Sequence, residues 1–201
     1  MQMYYDETKI EAGLDEAGRG SLCSIVVAAC VILPKKLEGD MVKYIKDSKQ
    51  LSKKKREQMY DYIIENAIDY SIQYKNEEYI DKNNILVSVM DCMHEAINNL
   101  KVKPELLLVD GSYFTKYKGI EHINVISGDA KFHSIASSSI LAKVAHDRYI
   151  KQLCLEEPYL DERYGLLSNM GYGTNKHMEG IKKYGISKYH RKTFGICKDY
   201  A

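Results

Sequence analysis

Apolar and polar positions along the chain follow two patterns: short apolar runs of strand length, and longer stretches with apolar residues three and four apart. Ile10 to Leu14 alternates loosely and predicts a buried strand that runs into the glycine turn of Gly18 and Gly20. Ser24 to Leu33 is a continuous β-branched run closed by Pro34. It predicts a central strand buried on both faces and paired antiparallel with the first. Asp69 to Lys75 alternates and predicts a third strand, Leu106 to Gly111 a fourth, and Ile123 to Ile126 a fifth. Ser52 is placed to cap a helix carrying Met59, Tyr62, Ile63 and Ala67 on one face. From Asn84 to Leu100 helical spacing is kept by Ile85, Leu86, Val89, Met90, Met93, Ala96, Ile97 and Leu100. Further helices are predicted from about Ser134 to Glu156 and from about Asn175 to Tyr184, the latter capped by Thr174 or Asn175. Strands alternating with helices in this order predict an α/β protein, a mixed five-stranded sheet flanked by helices. Residues 1–157 form the expected main domain, and residues 158–201 a small C-terminal helical segment packed on it.

Length and composition narrow the function classes. A chain of 201 residues suffices for one well-packed domain. A formal net charge of +1 gives no global field for a polyanion, so any nucleic-acid contact must rest on local clusters. The five cysteines include no C-x-x-C pair and read as reduced, buried thiols of a cytoplasmic protein. Neither a signal-type apolar region nor a run approaching about eighteen apolar residues is present, so export and membrane insertion are not expected. The six histidines show no H-E-x-x-H spacing, and most are expected to be surface or satisfied interior groups. The absence of a G-x-x-x-x-G-K-[ST] loop argues against nucleoside triphosphate hydrolysis.

Candidate chemistry concentrates at strand ends. Asp15, Glu16, Asp110 and Asp129 each lie at or near the end of a predicted strand with a glycine nearby, where one edge of an α/β sheet forms a crevice. Asp15 and Glu16 would face opposite sides of a regular strand, so they share a cleft only if the chain becomes irregular there. Clustered carboxylates raise one another's pKa, and a divalent cation is the simplest remedy. Oxygen ligands without histidine or cysteine favour Mg²⁺ or Mn²⁺, and two such ions roughly 3.5–4 Å apart suit phosphodiester hydrolysis. The main chain of Gly18, Arg19 and Gly20 can approach a phosphate or sugar hydroxyl closely. Lys49 and the basic run Lys53 to Arg56 can hold a nucleic-acid backbone, or the run can be a solvated basic face; Tyr172, between two glycines, can stack on a sugar or base, or simply fill a turn.

The blocks Gly13 to Gly20, Asp47 to Ser52, Ile80 to Leu86, Leu107 to Gly111, Gly128 to Lys131 with Ser134 to Val144, Gly171 to Thr174, and His190-Arg191 occur in the order of a known family. The chain resembles the type 2 ribonucleases H, in particular the ribonuclease HII branch, over nearly its whole length. The resemblance implies an RNase H-like fold, with residues 1–157 as the catalytic domain. It implies an intracellular monomer that cleaves the RNA strand of RNA–DNA hybrids and cuts 5′ to ribonucleotides embedded in duplex DNA, leaving 3′-hydroxyl and 5′-phosphate ends. The implied role is removal of RNA primers and misincorporated ribonucleotides. Asp15, Glu16, Asp110 and Asp129 become the metal-binding catalytic acids. Gly18, Arg19 and Gly20 read the 2′-hydroxyl, the group that separates RNA from DNA, and Tyr172 stacks on the following sugar. Arg19, where the HIII branch is expected to carry lysine, and the lack of an added N-terminal substrate domain point to HII. The chain departs from the pattern at Ser21, Ser24 and Ile25, where the family usually has proline, glycine and proline. It also departs at Ser137 and Ser138, in place of alanines, and at His146, where arginine is common. Two weaker alternatives are a hybrid-binding module with little activity and an RNase H-like DNA nuclease.

Overall fold

A computed structural model describes residues 1–45 and 51–201. Five strands, β1 (Glu11–Ala17), β2 (Val26–Ile32), β3 (Asp69–Lys75), β4 (Leu106–Asp110) and β5 (Glu121–Val125), form one sheet in the order β3-β2-β1-β4-β5. The first three are joined antiparallel, while β1–β4 and β4–β5 are parallel, giving the expected mixed sheet. All seven residues of β2 are buried, as its unbroken apolar run requires.

Helices cover both faces. Even-numbered residues of β2, with Ala12 and Leu14 of β1 and Leu107 and Val109 of β4, pack against α2 (Glu77–Asn83) and α3 (Ile85–Asn98). Odd-numbered residues of β2 meet α1 (Lys53–Asn66) and α4 (His133–Glu156). The Ser52 hydroxyl caps α1 by accepting the Lys55 N–H at 3.2 Å. Asn84, at φ 64°, separates α2 from α3 and caps the latter through Val87 N–H.

The small residues that open α4 let it lie directly on β1. A Cβ on Gly13 would collide with the main chain of Ser134 and Ile135, and the Ser138 hydroxyl donates to the Gly13 carbonyl at 2.7 Å. Ser138 also bonds its own helix at Ser134 O, 3.1 Å away. The serine thereby fixes helix to strand.

Beyond α4 come α5 (Tyr159–Tyr164), α6 (Leu166–Asn169), α7 (Asn175–Tyr184) and a 3-10 turn at Gly195–Tyr200. Together with Cys23 and the end of α4 they enclose a core of their own, with Leu160, Tyr164, Ile181 and Cys197 at its centre. Among the described residues, no helix is long and apolar enough to cross a membrane.

Candidate active site

The carboxylates collect where β4 stops short of β1. Pairing of the two strands is recorded from Glu11↔Leu106 to Leu14↔Val109, while β1 stays paired with β2 as far as Ala17↔Val27. Asp15 and Glu16 thus project past the last β4 rung, along the open side of a strand that is still regular. The expected irregularity is absent at these two residues and begins at Gly18, φ 81°. Asp15 points to the α4 side and Glu16 to the α3 side, and the missing neighbour lets both reach one cavity of about 460 Å³. Asp110, the last residue of β4, shares the Asp15 side. Its Oδ1 accepts the Gly128 N–H at 2.6 Å, which ties it to the 3-10 turn Gly128–Ala130 that carries Asp129. All four predicted acids therefore line the same cavity, together with Gly18, Arg19, Gly20, Ser139, Lys143 and Tyr172. Lys49 lies outside the described residues.

Electrostatics single out Asp15. Burial pushes its carboxyl well above the usual range, and Glu16 and Asp110 push it further. Hydrogen bonds from Ser139 and from the Glu16 N–H, 2.7 Å away, oppose this incompletely. Glu16 is raised mainly by burial, against the pull of Arg19, whose guanidinium lies 3.3 Å from Glu16 Oε1. Among the described residues, no three His, Cys, Asp or Glu side chains are close enough together to hold a metal ion as they stand. The donor chemistry nevertheless fits a hard cation: every anionic side chain on the wall is a carboxylate, and the buried one lacks a sufficient counter-charge.

The glycine loop between β1 and β2 is shaped from beneath. Arg191 is fully buried and donates to four main-chain carbonyls: Ser24 (2.9 Å), Arg19 (3.1 Å), Gly18 (2.8 Å) and Ile25 (2.8 Å). Burial lowers its pKa to about 10, so it stays cationic at neutral pH. His146 supports the same loop, its ring so close that a Cβ on Gly18 would lie 2.5 Å from Cδ2. That ring is fully buried, its Nε2 has no hydrogen-bond partner, and burial holds it neutral by lowering its pKa. Tyr172 is half-buried, and Lys143 Nζ sits 5.4 Å from its ring centre. Lys143 also pairs with Asp147 at 2.7 Å, and Asp147 faces Arg56 at 3.6 Å. Two members of the basic run are thus engaged within the protein: Arg56 here, and Lys55 over the Tyr44 ring at 3.6 Å.

Ser139, Lys143, His146 and Arg191 were not among the expected site residues. A signal existed for two of them: Ser139, Lys143 and Asp147 repeat every four residues and make a polar stripe along one side of α4. Arg191 stood out only as part of the His190-Arg191 block, and nothing local pointed to its role, since its partners lie 166 to 173 residues away.

A mixed five-stranded sheet with carboxylates gathered at its strand ends defines the RNase H-like class. The ribonuclease H2 of Pyrococcus horikoshii superposes with a TM-score of 0.75 over 94% of this chain and 96% of its own, at 26% identity. Bst-RNase HIII in complex with Mn²⁺ shares the fold, with a TM-score of 0.68 and 17% identity over 95% of this chain and 68% of that one. The family model described as Ribonuclease HII matches residues 12–197. A ribonuclease HII of Parabacteroides distasonis is 48% identical over 98% of this chain and 95% of its own. The chain belongs to the ribonuclease HII family, and so to the ribonuclease H nucleases.

Proposed function

We propose that the chain is a metal-dependent endoribonuclease that hydrolyses the RNA strand of RNA–DNA hybrids and cuts 5′ to ribonucleotides embedded in duplex DNA. The observation that carries this reading is the convergence of Asp15, Glu16, Asp110 and Asp129, from three separate parts of the chain, on one cavity beside the glycine loop. These four side chains would hold Mg²⁺ or Mn²⁺, the latter being the ion in the Bst-RNase HIII complex. Bound there, a pair of such ions supplies an activated water and stabilises the departing oxygen of the cleaved phosphodiester.

The chain's own groups do the rest. The Gly18-Arg19-Gly20 main chain, held by Arg191 at two carbonyls, presents itself to the 2′-hydroxyl. Tyr172 gives the neighbouring sugar a flat apolar surface, and Lys143 beside it meets a phosphate. Lys49 would add a backbone contact. Residues 1–157 act as the catalytic domain, and residues 158–201 complete its substrate wall, in a cytoplasmic monomer. In this reading the product ends are a 3′-hydroxyl and a 5′-phosphate, and the role is removal of primers and misincorporated ribonucleotides.

The test is cleavage of a duplex carrying one ribonucleotide, with each metal in turn and the cut position mapped. Incision on the 5′ side, lost in Asp110→Asn with binding kept, is the expected result. Cutting of an all-DNA duplex at an equal rate, or undiminished cutting by Asp110→Asn, overturns the reading.

A further inference from the structure

Behind Tyr172 lie two histidines that the proposed chemistry does not use. His177 and His190 are buried, with their Nε2 atoms 3.0 Å apart and their rings meeting edge to face. The groups at the two ends of this pair fix its protons. At one end the Ser187 N–H, a donor only, points at His190 Nδ1 from 3.0 Å, and the Ser187 hydroxyl lies 2.8 Å from the same atom. His190 Nδ1 is therefore an acceptor, and its ring proton sits on Nε2. That proton faces His177 Nε2, which must accept it, so His177 carries its own proton on Nδ1. At the other end, 3.0 Å from His177 Nδ1, is the Tyr172 carbonyl, an acceptor only. One proton arrangement satisfies every group, and an added proton on either ring would set one N–H against another. Tyr164 also packs against the pair, 4.7 Å from His190, and its hydroxyl is engaged with Gly185 O.

This arrangement acts on a residue that needs holding. Tyr172 stands between Gly171, at φ 81°, and Gly173, so the local sequence restricts its conformation weakly. Its carbonyl takes the His177 bond in addition to one from Thr174 N–H at 2.8 Å. His190 in turn precedes Arg191, whose guanidinium holds the Gly18–Gly20 loop on the other wall of the cavity.

We propose that His177 and His190 are a positioning pair that sets Tyr172 against the ribonucleotide sugar, in register with the glycine loop anchored by the adjacent Arg191. The inference rests on the reading of Tyr172 as a sugar-stacking residue. It assigns the pair no contact with substrate, so its loss should weaken substrate binding and leave turnover nearly intact.

Two isosteric replacements separate the roles of the His177 nitrogens. In His177→Asn the amide can stand in for Nδ1–H and reach the Tyr172 carbonyl. In His177→Gln it reaches toward His190 instead. With a duplex containing one ribonucleotide, His177→Gln should raise KM about tenfold with kcat within twofold, while His177→Asn stays within threefold of the native KM. In a Tyr172→Ala background His177→Gln should add less than twofold. Nitrogen NMR of the native protein at pH 7 should show both rings neutral, His177 protonated on Nδ1 and His190 on Nε2. Equal KM values for the two His177 variants, the opposite tautomers, or a full tenfold effect persisting in Tyr172→Ala would overturn the pair while leaving the nuclease reading standing. A native KM in Tyr172→Ala alone would overturn the stacking reading and the pair with it.

Discussion

Arg191→Lys is the most exacting perturbation of the glycine loop between β1 and β2. The native guanidinium uses three nitrogens to serve four carbonyls spread over Gly18 to Ile25. An ammonium keeps the charge but is a point donor with three hydrogens, and it cannot span that spread. At least two of the carbonyls lose their partner. Leaving each one unpaired in the interior costs about 1–2 kcal/mol, so the variant should be about 2–4 kcal/mol less stable. For a chain of this size that corresponds to a drop in Tm of roughly 5–15 °C. Calorimetric unfolding of the two proteins at pH 7 measures it. Because Gly18 and Arg19 lose their anchor together, KM for a ribonucleotide-containing duplex should rise by about tenfold or more under conditions where the variant is fully folded. A variant within about 2 °C of native Tm and with native KM would show that the loop holds its shape without the guanidinium, refuting the argument from the four carbonyls.

Asp15→Asn should abolish cleavage and yet raise Tm at pH 7 in the presence of a chelator. The folded-state pKa of Asp15 lies above its unfolded value, so its destabilising contribution is absent below about pH 4 and grows as pH rises through the folded value. The stability gap between variant and native protein should therefore widen from acid to neutral pH, and a gap independent of pH would contradict the assignment. Gly13→Ala should cost about 3 kcal/mol, since the new methyl meets the fixed main chain of α4 and not a side chain that can move; denaturant titration would refute this if the midpoint were unchanged. All five thiols are buried, and burial raises them, Cys92 to about 12 and Cys154 and Cys197 to about 11. A thiol reagent at pH 7.5 should label none in the folded protein and five in denaturant, and rapid labelling before unfolding would be the contrary result.

Elements whose pattern is local were legible in the sequence. The bounds expected for β3 and α7 are those observed, and the apolar run of β2 and the spacing of α3 identify both elements to within two residues at each end. The α2 helix escaped because it has seven residues with one buried position, too few to show a period. β5 is shifted toward its N-terminus, since Glu121 and His122 pair with β4 although neither is apolar. At the site, the convergence of the four acids on one cavity was legible because each was placed at or near a strand end on one edge of the sheet. The reason Asp15 and Glu16 meet was not legible, because it depends on where a different strand stops. Nor could Arg191 be recognised as the interior support of residues 18–25, because that role depends on partners 166 to 173 residues away.

That support has a consequence in time. Ribosomes deliver the amino end first, so β1, β2 and α4 can dock while the closing segment is still being made. The turn after β1 must then wait for Tyr189 to take the Ser24 N–H, and for Arg191 to give its own N–H to Leu22. A nascent chain can thus assemble the strands that carry its carboxylates before the turn beside them receives its final support.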